Sequence, residues 1–420
     1  MKDEKKIKKT NNCGPEKIAV IGGGMSGLCT AILLAEGGKQ VFLYERQDRI
    51  GKKLLLTGNG RCNVSNVAMG CDFYRSDDSD HVEEILNYCD ADREKAFWER
   101  LGMKLRESKG GLYPVTNQAA TVLDCLRFRI SELGINVQTD TFCEGIHGKR
   151  GDFTIDLRSA DGGKNSEKGF SYVFLCCGGL AGVYGEEEKN GYGIAKALHH
   201  TVRTGHPALV PVICNETMKA LAGIRTQAHV SLYSGDSLVA EDTGELQLTK
   251  EGISGIPVFQ LTRYLDSCRD SYFVVDFLPY PELEDLKSTI NSRRALLKDR
   301  TLEQFFAGWL QKKLTLYLLK RFDMKPDRKV SDLSEKQFLY LVQNMKQCRF
   351  TPASLGNYRQ AQVSVGGIPL AEVDEHLESR RVPGIFITGE MLDVTGACGG
   401  YNLHFALASA YAAASRILPM

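Results

Sequence analysis

The sequence predicts an α/β fold in which a discontinuous domain with a parallel β-sheet receives an inserted β segment and a helical segment. Three observations predict this fold. An apolar strand pattern near the N-terminus leads into a glycine-rich turn and a helix. The same order of strand, glycine-rich loop and helix returns near the C-terminus. Short strands followed by a long helical stretch lie between these regions, so we expect the two ends to complete one sheet.

The N-terminal segment contains a dinucleotide-binding pattern. Ile18–Ile21 is a short apolar run rich in β-branched residues, which is typical of a strand buried on both faces. Gly22, Gly24 and Gly27 follow in the spacing G-x-G-x-x-G. The first glycine permits a tight turn, the second lets a pyrophosphate approach the backbone, and the third lets the helix pack close to the strand. The N–H groups at the start of that helix can bind phosphate.

An acidic residue follows the second predicted strand. Gln40–Tyr44 is apolar and ends on Glu45, which lies 18 residues after Gly27. A carboxylate at an offset of about 20 residues accepts hydrogen bonds from a nucleotide ribose. Because an acidic side chain disfavours a 2′-phosphate, we expect FAD or NAD here rather than NADP.

The polar loop Thr57–Asn63 has the sequence T-G-N-G-R-C-N and follows a strand-like apolar triplet, Leu54–Leu56. Its amides, backbone N–H groups and single guanidinium can donate to a polar ligand. A surface turn is the plainer interpretation. The density of donors so soon after the glycine turn nevertheless favours a second contact with the same cofactor.

The C-terminal segment repeats the opening pattern. Gly384–Glu390 is a buried strand pattern that ends in Gly-Glu, and an alanine-rich helix is predicted over Leu403–Leu418. The loop between them offers a second helix N-terminus to an anion or a polar ring edge. We therefore predict a disordered tail (1–16), a discontinuous nucleotide-binding domain (17–205 and 351–420), an inserted β domain (206–280) and a helical domain (281–350).

Composition narrows the possible partners and locations. The chain has 420 residues, of which 43% are hydrophobic and 25% charged, with 53 Lys and Arg against 52 Asp and Glu. This balance does not favour a nucleic-acid or membrane partner, and no apolar run reaches the ~20 residues of a membrane span. The lysine-rich start lacks the apolar region of a secretory signal. We expect a cytoplasmic location and a small-molecule substrate, and we interpret the basic helical pairs, such as Arg293–Arg294 and Lys320–Arg321, as a solvated face.

Thirteen cysteines are spread along the chain without a C-x-x-C pair. This pattern predicts reduced, mostly buried thiols and no metal site. Cys62 and Cys398 are distant in sequence and could meet in space. A thiol–disulfide reductase is therefore kept as a minor alternative.

Taken together, these motifs resemble the YhiN-like group of NAD(P)/FAD-dependent oxidoreductases, which are flavoproteins with two dinucleotide-binding domains. The glycine turn occurs in many families, whereas T-G-N-G-R-C-N at 57–63 and G-G-Y-N at 399–402 are specific to this group. The resemblance extends from Lys17 onward, and the group includes the flavoprotein reductase of bile-acid 7-dehydroxylation and an aminoacetone oxidase. It implies non-covalent FAD, an inserted β-barrel-like domain and a helical domain.

The resemblance also implies which residues bind the cofactor. Cys177 and its neighbours stand where related flavoproteins have A-T-G-G. The implied set is Gly22, Gly24, Ser26, Gly27, Glu45 and Arg46 around the ADP half; Phe142 and Cys143 at the adenine; Cys177, Gly178 and Gly179 at the pyrophosphate; Lys53, Thr57, Asn59, Gly60, Arg61, Cys62 and Asn63 at the ribityl and flavin ring; and Gly389, Glu390, Asp393, Gly399, Gly400, Tyr401, Asn402 and Leu403 closing over the ring edge.

The leading functional hypothesis is a reductase in which NAD(P)H reduces FAD and the flavin delivers hydride to an activated C=C bond, such as an enone in a steroid-like ring. One alternative is an amine oxidase that produces H₂O₂. Another is a flavin-bound factor that interacts with RNA or protein. Tyr401 and Arg61 are candidate proton donors by location only, and the positive end of the helix near Asn402 would stabilise the anionic reduced ring.

Overall fold

The fold is given by a computed structural model that describes residues 16–182, 191–266, 269–279 and 283–419. Residues 1–15 of the predicted tail lie outside this part. The strands are β1 Lys17–Ile21, β2 Gln40–Tyr44, β3 Ser65–Asn66, β4 Tyr74–Arg75, β5 Leu105–Ser108, β6 Gly111–Pro114, β7 Asn136–Gln138, β8 Thr141–Lys149, β9 Asp152–Ser159, β10 Lys164–Phe170, β11 Tyr172–Leu175, β12 Pro207–Ala208, β13 Val212–Cys214, β14 Arg225–Ser234, β15 Ser237–Leu248, β16 Gly252–Gly255, β17 Ser271–Asp276, β18 Cys348–Phe350, β19 Pro352–Leu355, β20 Val363–Ser364, β21 Ile385–Ile387 and β22 Thr395–Gly396. The α-helices are α1 Met25–Glu36, α2 Ser79–Asn87, α3 Ala91–Arg100, α4 Ala119–Glu132, α5 Gly191–Ala197, α6 Ile256–Thr262, α7 Leu283–Leu296, α8 Leu302–Phe306, α9 Lys312–Arg321, α10 Glu335–Lys346 and α11 Tyr401–Ser415.

A five-stranded sheet in the order β21-β11-β1-β2-β7 forms the centre of the first compact unit. All of its pairings are parallel. Ile18, Ala19 and Val20 of the middle strand are fully buried, as expected for a strand covered on both faces. The predicted α/β class with a Rossmann-like parallel sheet is confirmed.

The C-terminal segment completes this unit. Strand β21 extends the sheet beyond β11, and α11 packs along α1. Small side chains make that close packing possible, because the run Ala412–Ala414 and the earlier alanines of α11 are buried. The predicted alanine-rich helix is present, although it begins at Tyr401, two residues before its predicted start.

The second compact unit comprises 180–185 and 205–365, whereas the first comprises 1–179, 186–204 and 366–420. The second unit contains a seven-stranded sheet in the order β18-β17-β14-β15-β16-β13-β19, together with α6 to α10. Side chains from this sheet and from the helices share one hydrophobic core. The sequence-based boundaries of three domains stay a prediction. Within the described ranges, no helix has both the length and the apolar character needed to cross a bilayer.

A buried histidine, which follows α5, connects to the segment 366–382 through hydrogen bonds. His200 is 4% exposed; its Nδ1 lies 2.7 Å from Glu372 Oε2 and its Nε2 lies 2.8 Å from Ser379 Oγ. That hydroxyl accepts hydrogen bonds from the backbone N–H groups of Arg381 and Val382. Because a hydroxyl has one proton and two lone pairs, Ser379 must donate to Nε2. His200 is therefore neutral, with its own proton on Nδ1 directed at Glu372.

Removal of the Ser379 hydroxyl should destabilise the fold. In Ser379→Ala two partly buried N–H groups and one buried imidazole nitrogen lose their partner, which costs about 1–3 kcal/mol of unfolding free energy. Urea denaturation measures the loss. Ser237→Ala, at an exposed position, is the control and should leave the unfolding free energy unchanged. Equal values for both variants would contradict this role.

The same network predicts a pH dependence. Burial lowers the pKa of His200, and the hydrogen bond to Glu372 only partly opposes this effect. The unfolded chain therefore binds more protons, so this stabilisation is present above the ordinary histidine pKa of about 6.5 and is lost as the pH falls below it. His200→Gln should flatten the decrease in unfolding free energy between about pH 7 and pH 5.5. A profile as steep as that of the wild type would contradict the assignment.

Candidate functional site

The three glycines of the N-terminal turn have different surroundings. Gly22 has φ +107, and a Cβ there would lie 2.5 Å from the carbonyl oxygen of Cys176. A Cβ at Gly27 would lie 1.9 Å from the carbonyl oxygen of Gly22. In contrast, a Cβ at Gly24 would meet no atom within 4 Å. Gly22 and Gly27 are thus required for backbone packing, whereas Gly24 leaves an open cradle at the start of α1.

Glu45 lies beside this cradle. Its Oε2 accepts a hydrogen bond from Gly23 N at 2.7 Å, and its Oε1 accepts one from Gln47 N at 2.8 Å. A carboxylate has about four lone-pair sites, so both oxygens keep capacity for a further donor. The N-cap of α1, Gly24, makes no side-chain cap bond and the first turn contains no acidic residue. Within the first turn itself, no side chain neutralises the partial positive charge of this helix N-terminus.

The segment before Asn63 differs from its predicted form. Leu54–Leu56 was predicted as strand-like, but it belongs to a 3-10 helix, Lys52–Gly60, and this prediction is wrong. A short apolar run alone does not distinguish strand from helix, and Gly51 precedes the segment in a left-handed conformation that starts the turn. Thr57 then donates its hydroxyl to the carbonyl of Leu54 at 2.6 Å.

Cys62 and Asn63 present buried polar atoms next to this helix. Cys62 is fully buried with a positive φ of 55°, and burial raises the pKa of its thiol to about 11, against an opposing hydrogen bond to Thr57. The thiol is therefore protonated near neutral pH. Asn63 Oδ1 is buried without a hydrogen-bond partner in the described chain. An unpaired buried acceptor is costly, so this atom is a position where a ligand donor would stabilise the structure.

Two contacts join the N-terminal motifs to Gly389 and Glu390. Lys53 Nζ lies 2.6 Å from Glu390 Oε2, although 337 residues separate them in sequence. A Cβ at Gly389 would lie 2.7 Å from Ser26 Oγ, so this glycine packs directly on the first turn of α1. The backbone of Gly389 also donates to Ser409 Oγ of α11 at 3.0 Å. The predicted N-terminal and C-terminal site residues therefore meet.

A second junction lies at the start of α11. Gly400 has φ +98, and a Cβ there would lie 2.5 Å from the carbonyl oxygen of Ser65. Asn66 Nδ2 donates to the carbonyl of Gly399 at 3.1 Å. Asn402 uses its amide to accept from Gly396 N and donate to Gly396 O, each at 2.9 Å. Asn402 thus organises the loop that precedes α11, a role that the sequence did not predict.

The remaining predicted residues have mixed surroundings. Asp393 accepts from Gly366 N at 3.2 Å and pairs with Arg203 at 3.0 Å. Burial raises the pKa of the Cys177 thiol, and Cys143, Arg46 and Glu45 are close enough to influence it further. Tyr401 stacks on Phe73 with 4.5 Å between the ring centroids, and the exposed Arg61 lies 5.9 Å from the Tyr113 ring. The other predicted residues are placed by their elements: Asn59 and Gly60 at the end of the 3-10 helix, Phe142 in β8, Gly178 and Gly179 after β11, and Leu403 in the first turn of α11.

Comparison with known proteins identifies the family. A family profile described as "HI0933-like protein Rossmann domain" matches residues 16–416. The chain belongs to this family. It is 36% identical over 405 residues to a 3-dehydro-bile acid delta(4,6)-reductase of Clostridium scindens, covering 94% of this chain and 98% of the relative. It is 27% identical over 407 residues to a ribosomal RNA dihydrouridine synthase of Haemophilus influenzae (95% and 97% covered) and 26% identical over 404 residues to one of Escherichia coli (95% and 97%). The resemblance inferred from the motifs is confirmed, and the chain is a flavoprotein oxidoreductase.

One polar network of this family member was not predicted. His404 of α11 is 2% exposed, and its Nδ1 lies 3.1 Å from Ser65 Oγ and 3.2 Å from Glu94 Oε2. Trp98 Nε1 donates to Glu94 Oε1 at 3.4 Å. Two sequence features could have indicated this network: the charged Glu94 on the apolar side of α3, and His404 within the alanine-rich helix α11. The network connects α3, α11 and the strand that follows Asn63.

Substitution of Gly400 tests whether its close approach to Ser65 stabilises the fold. Gly400→Ala forces a side chain into left-handed backbone and against the Ser65 carbonyl, so it should lower the unfolding free energy by more than the ~1–2 kcal/mol of the backbone conformation alone. Gly102→Ala is the matched control, since Gly102 has φ +77 and a Cβ there would meet no atom within 4 Å. Urea denaturation compares them, and an equal loss would show that the close approach at Ser65 is unimportant.

Proposed function

We propose that this protein is an FAD-dependent reductase that uses NAD(P)H to reduce a C=C bond conjugated to a carbonyl group, as in an enone of a steroid-like ring. The observation that carries this proposal is the 36% identity, over 94% of the chain, to the relative named as a 3-dehydro-bile acid delta(4,6)-reductase. By its name, that relative reduces ring double bonds of a 3-oxo compound. The α,β-unsaturated carbonyl is thus the substrate chemistry that we extend to this chain.

The residues present fit FAD. The open side of Gly24, the uncapped first turn of α1 and the carboxylate of Glu45 suit a pyrophosphate and a ribose. The buried, unpaired Oδ1 of Asn63 suits an N–H donor of a ring edge. When bound, the flavin supplies hydride transfer between the nicotinamide donor and the substrate.

The polypeptide supplies positioning and charge. The pair Lys53–Glu390 holds the polar 3-10 helix against the C-terminal loop. The first turn of α11 has neither a side-chain cap nor an acidic residue, so its positive end would stabilise negative charge on a neighbouring ring. Burial raises the pKa of the Cys62 thiol to about 11, so this thiol is a poor nucleophile for disulfide exchange.

A second candidate substrate is a uracil ring in RNA. The relatives from H. influenzae and E. coli, named as ribosomal RNA dihydrouridine synthases, each match 95% of this chain. The C5=C6 bond of uracil is conjugated to its C4 carbonyl, so its reduction to dihydrouracil is the same class of reaction as enone reduction. The two candidates therefore share one chemistry and differ in the size of the substrate.

Anaerobic stopped-flow absorbance tests the proposed function. NADH or NADPH should bleach the flavin band of the purified holoenzyme, and an enone should then restore the band without O₂. Restoration by uridine-containing RNA alone would select the second candidate. Bleaching only by an amine, with H₂O₂ formed on reoxidation by O₂, would support the oxidase alternative and contradict the proposal, as would a flavin that none of these donors reduces.

Two glycine variants test where FAD binds. Gly24→Ala places a methyl group in the open cradle, so FAD affinity should fall at least about tenfold while the apoprotein remains folded, with a loss no larger than about 1 kcal/mol for an altered N-cap. Gly27→Ala should instead unfold or strongly destabilise the apoprotein, because its Cβ would overlap the Gly22 carbonyl. Flavin fluorescence titration and thermal melting measure the two effects. Wild-type FAD affinity in Gly24→Ala would contradict the assignment.

A further inference from the structure

A tyrosine outside the sequence motifs lies beside Asn63. A Cβ at Gly111 of β6 would lie 2.9 Å from Tyr113 Cε2 and 3.0 Å from Asn63 Oδ1. The ring edge of Tyr113 and the amide of Asn63 therefore meet over Gly111. Because Cε2 is bonded to the carbon that carries the phenol hydroxyl, this hydroxyl lies close to the buried, unpaired Oδ1 that suits a donor of the flavin ring edge.

The hydroxyl of Tyr113 is available to a ligand. The side chain is half-buried, and its hydroxyl makes no hydrogen bond within residues 16–182, 191–266, 269–279 and 283–419. In contrast, the buried Tyr74 donates its hydroxyl to the backbone carbonyl of Tyr401 at 3.0 Å, and burial raises its pKa well above the ordinary value. A phenol can donate one proton, so Tyr113 can offer it to a substrate atom.

Two guanidinium groups lie near the Tyr113 ring. Arg106 is directly opposite Tyr113 in the pairing of β5 with β6, and its guanidinium lies 5.8 Å from the ring centroid. The guanidinium of Arg61 lies 5.9 Å from the same centroid. Arg106 is positioned by a hydrogen bond of 3.0 Å to Asn117 Oδ1. Since arginine keeps its charge in proteins, both groups would stabilise the negative oxygen that remains after Tyr113 gives up its proton.

Other groups of the neighbouring motifs are less suited to donate a proton. Arg61, a candidate donor by location, cannot be deprotonated in a protein. The side chains of Tyr401, Cys62 and His404 are almost fully buried. Tyr113 therefore combines a transferable proton with access to a ligand, and it lies next to the proposed position of the flavin ring.

We propose that Tyr113 is the proton donor that completes reduction of the C=C bond, an inference that rests on the proposed function. Hydride arriving at the β-carbon forms one C–H bond and moves the π electron pair into an enolate. That pair takes the Tyr113 proton and forms the second C–H bond at the α-carbon. The phenol O–H bond breaks, its electron pair stays on the tyrosinate oxygen, and water restores the proton. NAD(P)H is the reductant, and one C=C bond is reduced for each NAD(P)H oxidised.

Anaerobic stopped-flow absorbance of the Tyr113→Phe holoenzyme tests the inference. A 3-oxo-Δ4 steroid should reoxidise the reduced flavin of this variant at least about 100-fold more slowly than that of the wild type, because the acid is missing. Bleaching by NADH or NADPH should keep the wild-type rate, since that step needs no phenol proton. Nitrocyclohexene should reoxidise both proteins at the same rate, because the nitronate formed by hydride transfer is stable without protonation of carbon.

Binding measurements separate proton donation from a structural role. Titration of the oxidised holoenzyme with the steroid, followed by the flavin absorbance, should give the same dissociation constant for wild type and Tyr113→Phe. FAD affinity and melting temperature should also be unchanged. A dissociation constant that rises in proportion to the loss of rate would overturn the inference, because Tyr113 would then bind the substrate without donating the proton.

A matched control and the contrast between substrates complete the test. Tyr340→Phe, at a tyrosine of α10 that is 59% exposed, should keep wild-type rates with both substrates. A wild-type rate with the steroid in Tyr113→Phe would overturn the inference and leave the proposed function standing. Equal slowing with the steroid and nitrocyclohexene would also overturn it, since proton donation affects only the steroid. A wild-type flavin that no enone reoxidises would contradict the proposed function and this inference together.

Discussion

Backbone contact between Gly400 and Ser65 is the constraint on which the first unit depends. The two chain segments approach so closely that a single methyl group at Gly400 would overlap the Ser65 carbonyl. Similar close approaches occur between Gly27 and Gly22 within the first turn, and between Gly389 and Ser26. Glycine at these positions lets distant parts of the chain share one surface. The Lys53–Glu390 ion pair and the neighbouring hydrogen bonds add further contacts. The close approach of the backbones, however, is possible only because these glycines have no side chain.

Much of this architecture could be predicted from local pattern. The N-terminal strand, the glycine spacing and Glu45 form a segment in which each residue type has a separate physical role, and the surroundings of Gly22, Gly24 and Gly27 agree with those roles. The repeated pattern at the C-terminus predicted that the parallel sheet is completed by residues more than 300 positions away. Strand β21 confirms it.

Other features depend on partners that no local pattern reveals. The triplet Leu54–Leu56 lies in a 3-10 helix, and a short apolar run alone does not distinguish this from a strand. The amide of Asn402 is used for its own loop, and His404 finds Glu94 across 310 residues of sequence. Whole-chain composition also averages over local differences, since residues 287–359 contain 16 Lys and Arg against 6 Asp and Glu while the whole chain is nearly neutral. Segment-by-segment charge is therefore more informative than net charge for a protein with two compact units.

FAD binding at the proposed site requires that two distant segments of the chain contact one cofactor. Hydrogen exchange of the apoprotein with and without FAD, followed by mass spectrometry, tests this requirement directly. FAD should slow amide exchange both in the N-terminal turn, residues 22–28, and at the start of the C-terminal helix, residues 399–404. Protection of the N-terminal turn alone, or of neither segment at saturating FAD, would contradict it.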